Sequence, residues 1–507
     1  MKPARIRDSA LWLGGISIVY FVCAGMRAAS RPFWYDELVT WHLVHMASVG
    51  AMLDAMVAGA DQQMPLNHIL ARLCYALFGD GGLSIRLPAL IGFWIMLLGM
   101  YCFLSRRLPK PYALIGMLFP MLTYAWPYAF EARAYGVAMG AVSIAMISWQ
   151  DAAEGRRRPW SLVGVALGLA TALLAQAVFA IVAIPFALGE LTRTLTKRRI
   201  DWPMWLAFAA ACPVAILFPY IMKSVKHLSF PGMQPHAIGY VYFFDDVLKT
   251  AVFPVALAIA AGCWAARGER REDDGRLLPR HEAALLIGFL LAPLPFFAGG
   301  LVWHGFLFTP RYAMVVVFGL SCWFAVIACR VAGSSRRIGM AMLVTLFVWV
   351  GAFHGKEAFA LRGDPAAIWR GDWGDLEHLL SQGPVVSGNL HTFLEGDHYL
   401  PPELASHLYW INPDEEITSH NVLPVMYQVM TDQLAKSFPL RAHVVPWREF
   451  GARGEPFYLL LDTQTDMSKW CYDVLPREGW RLQVAAVKTG YFIYRVEKSQ
   501  PSSPLPR

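Results

Sequence analysis

Apolar runs of bilayer length, each closed by a knot of arginine and lysine, fill the first two thirds of this chain. That alternation limits its folds more than any other feature. The knots are Lys2, Arg5 and Arg7; Arg106, Arg107 and Lys110; Arg156, Arg157 and Arg158; Arg193, Lys197, Arg198 and Arg199; Arg267, Arg270, Arg271, Arg276 and Arg280; and Arg330, Arg336 and Arg337. Lys and Arg collect in the cytoplasmic loops of membrane proteins. With 56% hydrophobic and only 16% charged residues, the 507-residue chain departs from the roughly 45–50% and 25% of soluble domains. A disordered chain, a disulfide scaffold and a fibrous repeat are excluded. The net charge of +7 reports membrane topology, and no nucleic-acid partner is expected.

Placing every knot on one side fixes an expected topology. The run at 11–26 reads as an uncleaved first span, N-terminus in the cytoplasm, since no small-x-small cleavage site closes it. The next knot follows 87–105, so nothing between these two spans crosses. The apolar run 66–78 is about 20 Å long as a helix, short of the ~30 Å hydrocarbon core, and Arg72 lies in its middle. It reads as a helix on the outer face, within a long external loop (28–86) of two or three amphipathic helices. Further spans are expected near 111–126, 136–150, 160–174, 177–192, 202–222, 247–266, 283–299, 313–330 and 338–354, making about eleven. The pair at 160–192 also fits one kinked helix, but the Lys/Arg pattern favours two.

Residues 356–507 are polar and mildly acidic, and the alternation puts them outside. Strands are expected at 385–386, 457–461, 482–487 and 491–496, the last two forming a hairpin across Lys488, Thr489 and Gly490. A helix is expected at 466–477, and the terminal Pro/Ser segment reads as a disordered tail. The expected organisation is a membrane domain (1–355) followed by a small α/β domain (356–507). Seven of the eight cysteines lie in the apolar block, with no CxxC or Cys/His spacing, and read as small membrane-core residues.

Nine cations of the apolar block fall on the expected outer side, against the usual bias: Arg27, Arg31, Arg72, Arg86, Arg133, Lys223, Lys226, Lys249 and Arg311. Cations at headgroup depth suit the holding of an anion. Acids stand at the same depth. Asp36 and Glu37 follow span one in an aromatic setting, where like charge and desolvation raise carboxyl pKa values; the plainer reading is a helix start, with Asp36 as cap and Glu37 in the first turn. Glu131 and Arg133, with Tyr135, close the third span, where they pair locally or serve a site. Arg311 and Tyr312 open the tenth span after His304, with snorkelling as the plainer reading. Lys223, Lys226, His227, His236, Asp245 and Asp246 are weaker candidates. Carboxylates and cations in separate loops at one depth suit group transfer from a lipid phosphate, one taking the acceptor's proton and the other steadying the departing charge.

Five motifs in order, Phe33-Trp34-Tyr35-Asp36-Glu37, Pro65-Leu66-Asn67, Ile85-Arg86-Leu87-Pro88, Glu131-Ala132-Arg133-Ala134-Tyr135 and Pro310-Arg311-Tyr312, resemble the GT-C membrane glycosyltransferases. The resemblance, over about residues 10–330, is to the bacterial relatives of protein O-mannosyltransferases and lipid A aminoarabinose transferases. It implies a GT-C fold, a polyprenyl-phosphate-linked sugar donor, a lipid, glycan or protein acceptor, and inverting transfer on the periplasmic face of the bacterial inner membrane. It makes Asp36 the base, with Glu37 beside it. Glu131, Arg133, Tyr135, Arg311 and Tyr312 become donor and phosphate residues, with His304, Lys226 and Arg86 as weaker candidates. Phe130, Ala134, Gln176 and Met64 depart from the common pattern and bear on which sugar and acceptor are used. No cofactor is expected, and metal independence is favoured over a divalent ion. The rival readings are a flippase for the same lipid-linked sugar, which would carry mid-span charges and repeats, and an inactive scaffold of envelope glycan assembly.

Overall fold

The computed structural model describes residues 3–221, 239–267, 278–302, 310–412, 432–462, 470–488 and 490–499. Two compact units emerge: one takes in residues 1–30, 63–221 and 233–362, the other residues 31–62 and the chain from 363 onward, together with 222–232.

The first unit is a membrane bundle. Among the described residues seven helices are long and apolar enough to cross a bilayer: Ala10–Ser30, Gly82–Leu104, Arg158–Ala175, Ala177–Lys197, Gly239–Ala265, Arg280–Gly299 and Arg336–Ala360. The remaining expected spans correspond to the 19-residue helix Tyr135–Ala153, to Lys110–Leu118 running into a 3-10 turn, and to the shorter apolar helices Trp202–Leu217 and Val316–Val331. Large apolar side chains such as Trp160, Leu167, Leu195 and Val252 point outward, as a bundle solvated by lipid requires.

Residues 158–197 form a hairpin of two helices. Gln176 is extended and ends the first of them. Arg158, at the start of the pair, and Arg193, near its end, both donate to the Asp201 carboxylate. One continuous helix over those 35 residues would hold them about 50 Å apart. The basic knots meet in the same way. Arg106 donates to Gln150 at 2.9 Å and to Asp151 at 3.1 Å, while Arg107 reaches Glu154 and the fully buried Glu282, the latter at 2.5 Å. These loops therefore share one end of the bundle, as expected from the charge pattern.

Close backbone approach locks the helix starting at Tyr135 onto Gly82–Leu104. A Cβ on Gly92 would lie 2.5 Å from the Gly136 carbonyl oxygen, and one on Gly140 would strike Gly92. Gly136 and Gly140 stand one turn apart, the small-xxx-small spacing of tight membrane helix pairs. The helix Leu66–Phe78 has the expected bounds. Asn67 and His68 are buried, whereas Ile69, Leu73, Leu77 and Phe78 are exposed. This arrangement is inverted relative to a soluble helix and suits a lipid-facing one.

The second unit contains a six-stranded sheet: β1 (Val385–Ser387), β2 (Leu408–Asn412), β3 (His443–Pro446), β4 (Phe457–Asp462), β5 (Trp480–Lys488) and β6 (Tyr491–Lys498), in the order β3-β2-β1-β4-β6-β5. The first four strands pair in parallel; β4–β6 and β5–β6 are antiparallel. The expected hairpin is present, with Lys488 opposite Tyr491 and Gly490 at φ +86°. The helix expected at 466–477 is described from Trp470 to Arg477; 466–469 and the tail lie outside the described residues.

Three points correct the sequence reading. β2 and β3 were not expected. The segment 31–62 clusters with the residues beyond 363 and not with the membrane helices, although the whole 28–86 loop was assigned to the membrane domain. Its aromatics explain the difference: Phe33 and Trp41 meet His398, Tyr35 stacks on His391, and the Phe33 backbone N–H donates to the Tyr399 hydroxyl. The boundary expected at 355 also falls later, because the last long helix continues to Ala360.

Candidate functional site

Within the second unit, the helix Tyr35–Val44 carries both candidate acids in its first turn. The cap position belongs to Trp34, not Asp36. Glu37 is fully buried and accepts from Arg31 Nη2 at 2.6 Å and, more weakly, from the Trp34 backbone N–H at 3.4 Å. It thus folds back onto the helix start, where a carboxylate opposes the positive end of the helix dipole. Asp36 is only part-buried. The two adjacent acids therefore differ in environment: one is held in an ion pair and the other stands nearer the surface.

The helix Leu390–Tyr399 braces this turn. Asn389 caps it, accepting from the His391 N–H at 2.8 Å. Its Asp397 carboxylate accepts the backbone N–H groups of Arg441 and Ala442 at 2.6 and 2.7 Å. Gly396 sits where a Cβ would lie 2.7 Å from the Leu408 side chain, seating the helix on β2. Glu395 accepts from Trp369 Nε1 at 3.0 Å. Burial, and secondarily the Glu37 charge, push its carboxyl up to about 7 against that hydrogen bond. His42, stacked on Phe438 with ring centroids 4.5 Å apart, is pushed down to about 3 by burial and by the charges of His398, His45 and Arg441.

Within the first unit, Glu131 and Arg133 lie in the bend between the 3-10 turn Trp126–Ala129 and the helix Tyr135–Ala153, both buried. The buried Gln63 side-chain amide abuts the Arg133 guanidinium, and since a guanidinium only donates, the amide is assigned with its oxygen toward it, 2.5 Å from Nη2. Asn67 donates to the Ala132 carbonyl at 3.4 Å. The fold thus brings the Pro65-Leu66-Asn67 motif onto Glu131-Ala132-Arg133. Tyr135 is buried edge-on to Tyr128. From the other side, Arg27 lies over the Phe130 ring, 4.8 Å from its centroid, and pairs with Glu357 at 2.5 Å. Glu357 also receives His354.

Arg311 and Tyr312 share the 3-10 turn Pro310–Ala313 ahead of Val316–Val331, both part-buried, with Tyr312 against the core. Arg86 is fully buried and donates to the Ala28 carbonyl at 2.7 Å, satisfying an acceptor in the last turn of the first helix. His304 and Lys226 lie outside the described residues, as do Lys223, His227 and His236. Asp246 pairs with Lys249 at 2.8 Å in an exposed i,i+3 contact.

Gln63, Asn67, Glu395, His391 and His354 were not singled out as site residues by sequence. Only Asn67 stood inside a quoted motif.

Residues 62–217 match the family described as dolichyl-phosphate-mannose-protein mannosyltransferase. No curated protein of known function matches the chain in sequence. Among solved structures, ArnT from Cupriavidus metallidurans in the apo state aligns with TM-score 0.52 and 13% identity, over 97% of this chain and 98% of that one. The same protein bound to undecaprenyl phosphate aligns with TM-score 0.52 and 14% identity, over 96% and 97%. At that identity the likeness establishes the fold.

The chain has an ArnT-like GT-C fold.

The family match spans Gln63, Asn67, Arg86, Glu131, Arg133 and Tyr135, whereas Asp36, Glu37, Arg311 and Tyr312 lie outside it. Among its described residues, no three His, Cys, Asp or Glu side chains gather as a metal cluster would.

Proposed function

We propose that this protein is a glycosyltransferase that moves a sugar from a polyprenyl-phosphate-linked donor to a lipid, glycan or protein acceptor on the periplasmic face of the bacterial inner membrane, with inversion. The acceptor oxygen or nitrogen attacks the anomeric carbon. The bond from that carbon to the phosphate oxygen breaks, and its electron pair leaves with the polyprenyl phosphate. Asp36 takes the acceptor's proton. Arg133, with Glu131 shaping the site around it, and Arg311 hold the phosphate, with Tyr135 and Tyr312 as their aromatic surroundings. Like-charged Asp36 and Glu37 divide the labour: the ion-paired Glu37 fixes the helix start, and Asp36 does the proton transfer.

The observation that carries this reading is that contrast between neighbours, Glu37 buried on Arg31 and Asp36 part-exposed. The undecaprenyl phosphate in the ArnT structure supports the donor class.

The test incubates purified protein with radiolabelled polyprenyl-phosphate sugars and candidate acceptors. Consumption of donor, abolished in Asp36→Asn, supports the proposal. Movement of intact donor across a vesicle would point to a flippase, and neither outcome to a scaffold. Wild-type turnover by Asp36→Asn overturns the role of Asp36. Transfer is expected to persist in EDTA; a loss restored by Mg²⁺ or Mn²⁺ overturns metal independence.

A further inference from the structure

The parallel part of the sheet runs β3-β2-β1-β4. From β1 the chain steps outward to β2 and β3, then returns to the other side of β1 as β4, so the order reverses between β1 and β4. In open sheets of this kind ligands bind outside the carboxyl ends of the strands at such a reversal. A cavity of about 310 Å³ lies at that end of β4, between the helix Gly374–Gln382 and the sheet. The helix runs from the end of β4 toward its beginning. Gln382 accepts from the hydroxyl of Tyr458, near the start of the strand, at 2.7 Å. Trp373, just before the helix, meets the ring of Tyr491, which pairs with Asp462 at the strand's end.

Periodicity accounts for the lining. Tyr491 and Ile493 are two apart on β6 and share a face, with Leu460 directly opposite Ile493. Leu376 and Leu379 stand at i and i+3 on the helix. Leu376, Leu460 and Ile493 are buried and make an apolar floor. Trp373 and Tyr491, both part-buried, form a wall of two rings set edge-on with centroids 4.9 Å apart. Asp372 and Asp375 are exposed and stand at the mouth.

This lining selects a chemistry. A pyranose has a C–H face that suits aliphatic and aromatic surfaces, and a rim of hydroxyls that must keep hydrogen-bond partners when it leaves water. Carboxylates accept such hydroxyls in charge-assisted bonds about twice as strong as neutral ones. The same two acids repel a phosphate or an acidic sugar, and a bare metal cation would leave the apolar floor uncovered. The volume is at the lower end of the roughly 300–1,000 Å³ of small-molecule sites, room for one ring and not for an oligosaccharide.

Trp373 stacks on Trp369 with centroids 6.1 Å apart, Trp369 stacks on Tyr399 at 5.6 Å, and the Tyr399 hydroxyl accepts from the Phe33 N–H. A row of rings thus connects the cavity to the segment that bears Asp36. Resting on the reading of this protein as a glycosyltransferase, we propose that the cavity is a sugar-binding site, which holds one uncharged or amine-bearing pyranose of the acceptor. The acceptor is then a glycan or glycolipid.

The experiment titrates the full-length protein, in nanodiscs free of sugar-based detergent, with the methyl glycosides of glucose, galactose, mannose, N-acetylglucosamine, glucosamine and glucuronic acid, read by saturation-transfer NMR. At least one neutral or amino glycoside is expected to bind and the glucuronide is not. Trp373→Ala should weaken binding tenfold or more, the double variant Asp372→Asn/Asp375→Asn threefold or more, and Asp36→Asn should bind as wild type. Binding of none of the glycosides, equal binding of the glucuronide, or unchanged affinity in Trp373→Ala overturns the proposal. Should Trp373→Ala not be recovered folded, the double variant, at two exposed positions, decides by the same criterion. Donor consumption measured on the same preparation separates the two readings. Sugar binding without transfer defeats the glycosyltransferase reading and leaves the sugar site standing, whereas transfer without sugar binding defeats the site alone.

Discussion

The Arg31 guanidinium donates to the Glu37 carboxylate at 2.6 Å, and the carboxylate is fully buried. Breaking a buried pair strands the remaining charge, at a cost of about 3–5 kcal/mol when fully buried; Arg31 is partly exposed, so about 2–3 kcal/mol is expected here. Glu37→Ala should therefore lower the Tm of the detergent-solubilised protein, and Asp36→Asn should leave it within a degree or two. Equal Tm values for Glu37→Ala and wild type would contradict the structural role given to Glu37.

Gln63 holds Arg133. A hydrogen bond to a charged group contributes about 1.5–3 kcal/mol. Gln63→Leu is expected to raise donor KM about tenfold or more, with kcat less affected, in steady-state assays across donor concentrations.

Gly140 has the Gly92 backbone where its side chain would be. Gly140→Val forces the two helices apart and is expected to cost about 3 kcal/mol. Fluorescence-detected size exclusion after graded heating measures it. Val163→Ala, at an exposed position, serves as the control and should behave as wild type.

Glu395 and His42 give the second unit opposite pH slopes. The folded carboxyl of Glu395 binds its proton up to about 7, above the ordinary carboxylate range near 4.3. Its contribution is present below that range and is lost as pH rises through about 7. His42 is neutral in the fold down to about 3, below the ordinary 6.5. Its contribution is present above 6.5 and is lost as pH falls toward 3. Tm of Glu395→Gln should accordingly fall less than wild type between pH 5 and 7.5. Tm of His42→Phe should fall less than wild type between pH 6.5 and 4.5.

Much of the membrane unit was legible because lipid allows so few charges. Knots such as Arg106–Arg107 and Arg156–Arg158 announced which loops share a side, and Arg158 and Arg193 meeting on Asp201 bears that out. The missed strands have physical reasons. β2 is buried at every position, so the alternation that marks a half-exposed strand is absent. β3 is four residues long and ends in Pro446. Asp36, Glu131 and Arg133 stood out as rare charges in an apolar setting. Glu395 did not, being one acid among many in a polar block; only the fold carries it to Trp369. Gln63 was hidden for a different reason, since an uncharged amide gives no signal until its partner is known.

The hydrogen bond from Phe33 to Tyr399 joins residues 366 apart in the chain. At a synthesis rate of roughly 5–20 residues per second, the segment bearing Asp36 leaves the ribosome about 20–70 s before the helix that will grip it exists. For that interval Phe33, Tyr35 and Trp41 lack their lasting neighbours. A nascent chain stalled before residue 390 would have synthesised all of its membrane helices and still lack the aromatic partners of the acid turn.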